Sequence, residues 1–100
     1  MAGPEAEIER ECVRLARKAG GDLLKIKFPN RVGCPDRLLI LPSTCSGCYR
    51  TSVSMVEFKR SGVSASRHQK VVHADLRSLG VKVSVVDSVE SFEDLLDAET

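Results

Sequence analysis

The sequence predicts an α/β (α+β) fold in which helices flank a mixed four-stranded sheet, in the order αβββαβα. The aliphatic run at 38–41 is bounded by Pro35 and Pro42, which is typical of a short buried strand. The valine-rich segment 81–86 follows a helical pattern that ends at Gly80, so it predicts the last strand. A helix between the third and fourth strands implies that one pair of strands is parallel.

The first half of the chain contains one predicted helix and three predicted strands. Residues 5–19 have the spacing of an amphipathic helix, with an apolar stripe of Ile8, Cys12, Leu15 and Ala19. Gly20 and Gly21 end this helix. The strands are predicted at 22–28, 37–41 and 53–59, with a turn-rich loop before the second and a long hairpin connection before the third.

The second half alternates helix, strand and helix. Ser64 or Ser66 can cap a helix that runs to about Leu79, with a core stripe of Val72, Leu76 and Leu79. Asp87 or Ser88 can cap a last helix, whose apolar residues are Val89, Phe92, Leu95 and Leu96.

Length and composition predict one small globular domain, residues 1–100. Hydrophobic residues make up 42% of the chain and charged residues 29%, which is ordinary for a soluble protein. No apolar segment approaches the roughly 20 residues of a membrane span, and no signal-peptide pattern opens the sequence. We therefore expect an intracellular protein.

The four cysteines, Cys12, Cys34, Cys45 and Cys48, are expected to be thiols. Cys45 and Cys48 have the spacing of half a zinc site or of a redox pair. The remaining candidate ligands are not paired at ligand spacing, so a variable hairpin tip is the favoured interpretation and a zinc or redox protein the weaker alternative.

The charges are unevenly distributed although the net charge is only +1. Residues 1–11 carry four Glu and one Arg, and residues 87–99 carry six acidic residues and no basic one. Residues 12–86 hold the other 14 Lys and Arg and only four acidic residues. This basic middle segment favours a polyanionic partner such as nucleic acid, the alternative being an ordinary solvated surface.

Two carboxylates stand where predicted strands begin and end. Asp36 opens the second strand, and Glu57 precedes Lys59 at the end of the third, on the face that also carries Val53 and Met55. An antiparallel hairpin brings Asp36 beside Glu57 and Lys59. Two adjacent carboxylates repel, and a divalent cation such as Mg²⁺ or Mn²⁺ would relieve the repulsion. A solvent-exposed pair at a strand end is the structural alternative.

Both helices near this hairpin offer further polar side chains. Glu9 lies at the margin of the apolar face of the first helix, with Glu5 as the alternative acid, although the helix dipole alone also favours acids there. Gln69 and His73 flank the apolar stripe of the second helix one turn apart. Gln69 could orient a bound water or a phosphate, or simply bond the backbone.

Several short motifs resemble the virus-type replication-repair nuclease (VRR-NUC) domain of the PD-(D/E)xK nuclease superfamily. They are "GCPD" at 33–36, "EFK" at 57–59 and Gln69, together with "EIE" at 7–9, "AGG" at 19–21, Lys25 and the segment 79–96. Each motif is common by chance, but their order and the predicted frame are specific. The resemblance implies a restriction-endonuclease-like core.

The resemblance also implies roles for individual residues. Asp36, Glu57 and the Phe58 carbonyl would bind the catalytic Mg²⁺, for which Mn²⁺ could substitute, and Glu9 would complete the acidic set. Lys59 would activate water or stabilise charge on the phosphate, and Gln69 would be the active-site amide. The resulting expectation is a metal-dependent DNA endonuclease in the cytoplasm of a bacterium or a phage-infected host.

Standalone members of the family resemble junction-resolving homodimers, which implies a branched or structured DNA substrate in replication, repair or recombination. A monomeric flap or nicking nuclease and a non-catalytic nucleic-acid-binding module are the alternatives. With only four aromatic residues, stacking on single-stranded bases is expected to be a minor binding mode. Expected DNA contacts are Lys25, Lys27, Arg31, Arg37, Arg60, Arg67 and Lys70.

Overall fold

The computed structural model describes residues 4–42 and 51–99. The helices are α1 (Pro4–Lys18), α2 (Arg67–Ser78) and α3 (Val89–Glu99), and the strands are β1 (Asp22–Lys25), β2 (Arg37–Leu41), β3 (Ser52–Phe58) and β4 (Val83–Val86). This order confirms the predicted αβββαβα arrangement. Cys45 and Cys48, with the expected hairpin tip, lie outside the described residues. None of the described helices is long and apolar enough to cross a membrane.

The four strands form one mixed sheet in the order β1-β2-β3-β4. β1 pairs antiparallel with β2, β2 pairs antiparallel with β3, and β3 pairs parallel with β4. In the register, Arg37 of β2 lies opposite Val56 of β3, and Glu57 lies beside Val85 of β4. The predicted α+β class and its parallel last pair are confirmed.

One face of the sheet carries the main hydrophobic core. Buried side chains of β2 and β3 pack there against α1 and α3, and the cluster comprises Cys12, Ala16, Leu23, Leu39, Leu41, Val56, Phe58, Val86 and Phe92. The rings of Phe58 and Phe92 meet with their centroids 6.2 Å apart. Because side chains alternate along a strand, Glu57 points to the opposite face, where His73 of α2 approaches it.

The sheet faces differ from the expectation in one respect. The predicted inward face of β3 was the one with Val53 and Met55, but the deeper core lies on the face of Ser54, Val56 and Phe58. Val53 is 49% exposed. The short α2 covers only part of the second face, so Glu57 is buried there while Val53 is not.

Some predicted element ends and one predicted core position were also wrong. β1 stops at Lys25 rather than at residue 28, because its pairing with β2 ends at Arg37 and is continued by a single bond, from the Ile26 N–H to the Asp36 carbonyl. α1 ends at Lys18, which leaves Ala19 exposed. Leu79, expected in the core, is the C-cap of α2 and is 79% exposed.

Local signals fix the position of α2 next to the β1–β2 connection. Ser66 caps the helix, and its side chain accepts a hydrogen bond from the Gln69 backbone N–H while the Gln69 side chain bonds the Ser66 N–H, a capping box. Gly33 has φ +91°, and a Cβ there would lie 2.8 Å from His68 and 3.0 Å from Val72. Glycine is therefore required for the loop to approach the helix so closely.

Candidate active site

Asp36 and Glu57 face each other across the β2–β3 hairpin. The register pairs Arg37 with Val56, so one residue further along the ladder Asp36 stands opposite Glu57. Asp36 is exposed, whereas Glu57 is only 8% exposed. The strands therefore bring together the two carboxylates that the sequence predicted to be neighbours, one open to solvent and one held in the protein.

Glu57 is poorly compensated for its charge. Burial, followed by the negative charge of Asp36, raises the pKa of Glu57 to about 7; Lys59 opposes the shift, and Glu5 and Glu9 add to it. Lys59 is thus close enough to lower the pKa of Glu57, but its effect is smaller than the combined effect of burial and the three neighbouring acids, which raise that pKa. A buried carboxyl facing a second carboxylate fits a hard divalent cation, which prefers oxygen ligands.

The donor set for such a cation is small. Among residues 4–42 and 51–99, no group of three or more His, Cys, Asp or Glu side chains is arranged to hold a metal. Asp36 and Glu57 supply two carboxylates, which suits a cation that keeps several water ligands. The ring of Phe58 is buried in the core, so only its main-chain oxygen could serve as the third ligand that the resemblance implies.

Two side chains of α2 approach the same oxygen of Glu57. The Nε2 atom of Gln69 lies 3.5 Å from Oε1 of Glu57. The Oε1 atom of Gln69 accepts a hydrogen bond from the Ser66 N–H at 2.9 Å. The Nε2 atom of His73 lies 3.6 Å from Oε1 of Glu57. The predicted active-site amide is therefore beside the predicted carboxylate.

His73 is the functional candidate that sequence reasoning left without a role. Its side chain is 1% exposed, and its Nε2 has no hydrogen-bond partner among the described residues. Burial, with the positive charges of Arg77 and Lys59, lowers the pKa of His73, so the ring is neutral near pH 7. Its position one turn after Gln69 was the available signal, but spacing alone could not show that the ring is buried against Glu57.

Glu9 lies at the same end of the sheet but is engaged elsewhere. Its carboxylate accepts a hydrogen bond from Arg37 in an ion pair whose two side chains are each 18% exposed. Arg37 also donates to the Leu23 carbonyl at 3.1 Å. Glu9, the acid predicted from the first helix, therefore lies near Glu57, but its charge is neutralised by Arg37. Arg37 was itself a predicted DNA contact and is only partly accessible.

Lys59 follows β3 directly. Its backbone N–H donates to the Val86 carbonyl at 2.8 Å, which extends the parallel pairing by one bond and fixes the start of this side chain. The side chain is half-buried and, from its effect on the pKa of Glu57, lies within electrostatic reach of the carboxylates.

The other predicted DNA contacts divide into two groups. Lys25, Lys27 and Arg31 line a cleft of about 440 Å³ that ends at Asp36. Arg60, Arg67 and Lys70 are exposed around the start of α2. A second cleft of about 570 Å³ lies along α1 and is lined by arginines that the sequence did not single out, namely Arg10, Arg14 and Arg17, together with Arg37.

The fold and site together define a class of protein. The mixed sheet has an acidic residue just before one strand and a Glu-x-Lys motif at the end of the neighbouring strand. This is the arrangement of a PD-(D/E)xK nuclease. A solved structure described as "VRR_NUC domain" superposes with a TM-score of 0.81 at 28% identity, covering 96% of this chain and 97% of the other.

Two sequence comparisons were informative to different degrees. No family model matches the sequence, but a related protein agrees with this class. The chain is 38% identical over 84 residues, 84% of its length and 83% of the relative's, to "Putative nuclease p44" of Acyrthosiphon pisum secondary endosymbiont phage 1. The chain belongs to the VRR-NUC family of nucleases.

Proposed function

We propose that the protein is a metal-dependent DNA endonuclease that hydrolyses phosphodiester bonds at the Asp36–Glu57 site. The observation that supports this most is the buried Glu57, whose pKa is raised to about 7 by burial and by Asp36 opposite it. An uncompensated carboxylate pair costs stability and needs a functional reason. The nuclease family gives that reason.

Each residue has a proposed task. Asp36, Glu57 and the Phe58 carbonyl would hold Mg²⁺, or Mn²⁺ in its place; such a cation would supply polarisation of the phosphodiester and a lowered pKa of a bound water. Lys59 places a positive charge where negative charge grows on the phosphate. Gln69 orients the Glu57 carboxylate. Glu9 remains the predicted acid from α1, although it is paired with Arg37.

The proposed substrate is branched or otherwise structured DNA in replication, repair or recombination, cut by a homodimer in the cytoplasm. Support for a dimer comes from the sheet face that α2 leaves partly uncovered, where Leu24 is 42% and Val53 49% exposed. A second copy could bury these apolar side chains. Light scattering with size-exclusion chromatography tests this directly: a monomer would favour the alternative, a flap or nicking nuclease acting alone.

A cleavage assay tests the catalytic proposal. End-labelled duplex, flap and four-way-junction DNA are incubated with Mg²⁺, Mn²⁺ or chelator. Asp36→Asn and Lys59→Met are each expected to lower the cleavage rate by at least about 100-fold, since each removes charge from the site. Asp94→Asn and Lys18→Met remove the same charges from exposed helix positions and are expected to cleave normally.

The outcomes separate the competing functions. Cleavage that persists in chelator would exclude a metal-dependent reaction. Cleavage that persists in both site variants would exclude the Asp36–Glu57 site as the catalytic site. Binding of DNA without cleavage under any metal would indicate a non-catalytic nucleic-acid-binding module. Stoichiometric zinc in the purified protein, lost on Cys45→Ser, would favour the zinc interpretation instead.

A further inference from the structure

The cleft that ends at Asp36 combines an aromatic wall with a basic rim. It is lined by Phe28, Lys25, Lys27, Arg31 and Cys34 and has a volume of about 440 Å³. Phe28 is 39% exposed although it is a large apolar residue. The sequence-based expectation placed Phe28 in β1, where alternation would have decided its burial; the early end of β1 leaves it in this cleft instead.

The segment that forms the cleft is held in place at several points. The Ile26 N–H donates to the Asp36 carbonyl at 2.9 Å, which closes the base of the loop. His68 Nε2 lies 3.0 Å from the Val32 carbonyl, and Gly33 packs against α2. The walls are thus supported by β2 and α2, the elements that position the candidate active site.

The rim of the cleft carries uncompensated positive charge. Lys25, Lys27 and Arg31 are all exposed, and none of them forms an ion pair with a described residue. Among the residues that the structure describes, Asp36 is the one acid that lines the cleft, and it is the proposed metal ligand. Three cations around an exposed ring match a ligand that is both anionic and flat.

We propose that this cleft binds one unpaired nucleotide of the DNA substrate, with its base stacked on Phe28 and its phosphates on Lys27 and Arg31. This inference rests on the proposed function and narrows its substrate class to DNA that has an unpaired nucleotide next to the cleaved bond. The volume lies within the ~300–1,000 Å³ range of small-ligand sites, so it suits one nucleotide rather than a duplex.

The requirement for an unpaired nucleotide follows from stacking. A base inside a duplex has both of its faces covered by neighbouring bases, so it cannot also lie on Phe28. An unpaired base has a free face, and stacking on an aromatic side chain contributes ~1–3 kcal/mol. A single aromatic residue in the right position is therefore sufficient to stack one unpaired base.

A binding experiment in chelator tests the cleft independently of cleavage. The probe is an oligonucleotide with 2-aminopurine, whose fluorescence is quenched by stacking, in single-stranded form and in a fully paired duplex. We expect tighter binding and a protein-dependent fluorescence change for the single strand. Phe28→Ala should weaken single-strand binding about tenfold and abolish the fluorescence change, whereas Phe28→Trp should retain both.

Val32→Ala is the matched control, because Val32 is 79% exposed in the same segment but does not line the cleft. It should bind as the unmodified protein does. Equal binding of single strand and duplex, or an unchanged affinity of Phe28→Ala, would overturn the inference. The binding experiment contains chelator and no metal, so it does not depend on cleavage. A failure of the proposed catalytic function would therefore produce neither of these two results.

Thiol footprinting gives a second readout. Cys34 lines the cleft, whereas Cys12 is fully buried and burial raises its pKa to about 12. Peptide mapping after alkylation should show that the single-stranded oligonucleotide protects Cys34, while Cys12 stays unmodified throughout. Unchanged alkylation of Cys34 at saturating oligonucleotide would contradict occupancy of the cleft.

Discussion

Glu9 and Glu57 are two carboxylates that lie at the same end of the sheet but on its opposite faces. Glu9 belongs to α1, on the main-core side, and is neutralised by Arg37. Glu57 faces α2, where its near neighbours are the amide of Gln69 and the neutral ring of His73. Among the described residues, Glu9 therefore has a cationic ion-pair partner, whereas Glu57 forms no ion pair with a Lys or Arg.

The difference lies in where each charge is compensated. A partly buried ion pair is satisfied by the protein and can be retained without any ligand. A buried carboxyl without such a partner takes up a proton near neutral pH or binds a metal. Four predictions test this comparison.

The largest expected effect is on the Glu9–Arg37 pair. Arg37→Met should lower the free energy of unfolding by about 3 kcal/mol, because it leaves Glu9 partly buried without its partner. Urea denaturation measures this loss. The double variant Arg37→Met/Glu9→Gln should recover most of it; equal stability of the single and double variants would show that the pair is not a unit.

Glu9→Gln also tests the predicted catalytic role of this acid. If Glu9 contributes to the metal site, its variant should lose cleavage as severely as Asp36→Asn under conditions where both are folded. A cleavage rate near that of the unmodified protein would confine Glu9 to the ion pair.

An effect of comparable size but of the opposite sign is expected at Glu57. Its pKa rises from 4.5 unfolded to about 7 folded, so the folded state binds the proton more tightly and loses stability as pH rises through this window. Glu57→Gln carries no charge and avoids that loss. It should be more stable than the unmodified protein by about 3 kcal/mol at pH 8 in chelator.

The pH dependence distinguishes this explanation from a change in packing. Below about pH 4.5 the Glu57 carboxyl is protonated in both states, so the advantage of Glu57→Gln should vanish. The depressed pKa of His73 destabilises the fold at low pH, but to a first approximation this is common to both proteins and is removed by the difference. A pH-independent stabilisation would contradict the assignment to Glu57.

The smallest expected effect is at His73. His73→Leu should leave stability within about 1 kcal/mol, because it replaces a buried ring nitrogen that has no described partner by an apolar group. Cleavage should fall about tenfold, since the Glu57 carboxylate would lose the polar ring nitrogen that lies 3.6 Å from its Oε1. His73→Asn, which keeps a polar contact, should retain more activity; equal activities of the two variants would exclude an orienting role.

Much of the fold could be predicted because its signals are local. The glycine after α2, the Ser66 cap and the apolar run of β2 each act within a few residues. The predictions that failed depended on partners elsewhere in the chain. β1 was expected to reach residue 28, but a strand continues only where a neighbouring strand offers hydrogen bonds, and β2 starts at Arg37.

The candidate site shows the same division. Asp36 and Glu57 could be placed side by side from the sequence, because an antiparallel hairpin fixes which ends meet. The engagement of Glu9 by Arg37 could not, since it depends on how α1 lies across the sheet. The burial of His73 depends likewise on the packing of α2 and the loop at Gly33.

The sequence by itself therefore determined the order of the elements, the hairpin that joins two carboxylates and the lysine after them. Local spacing and strand pairing are sufficient for these features. The tertiary structure alone decided which acid is neutralised, which one is buried without a Lys or Arg ion-pair partner among the described residues, and that Phe28 is exposed beside Asp36. Those outcomes depend on charge, burial and packing between segments distant in the chain.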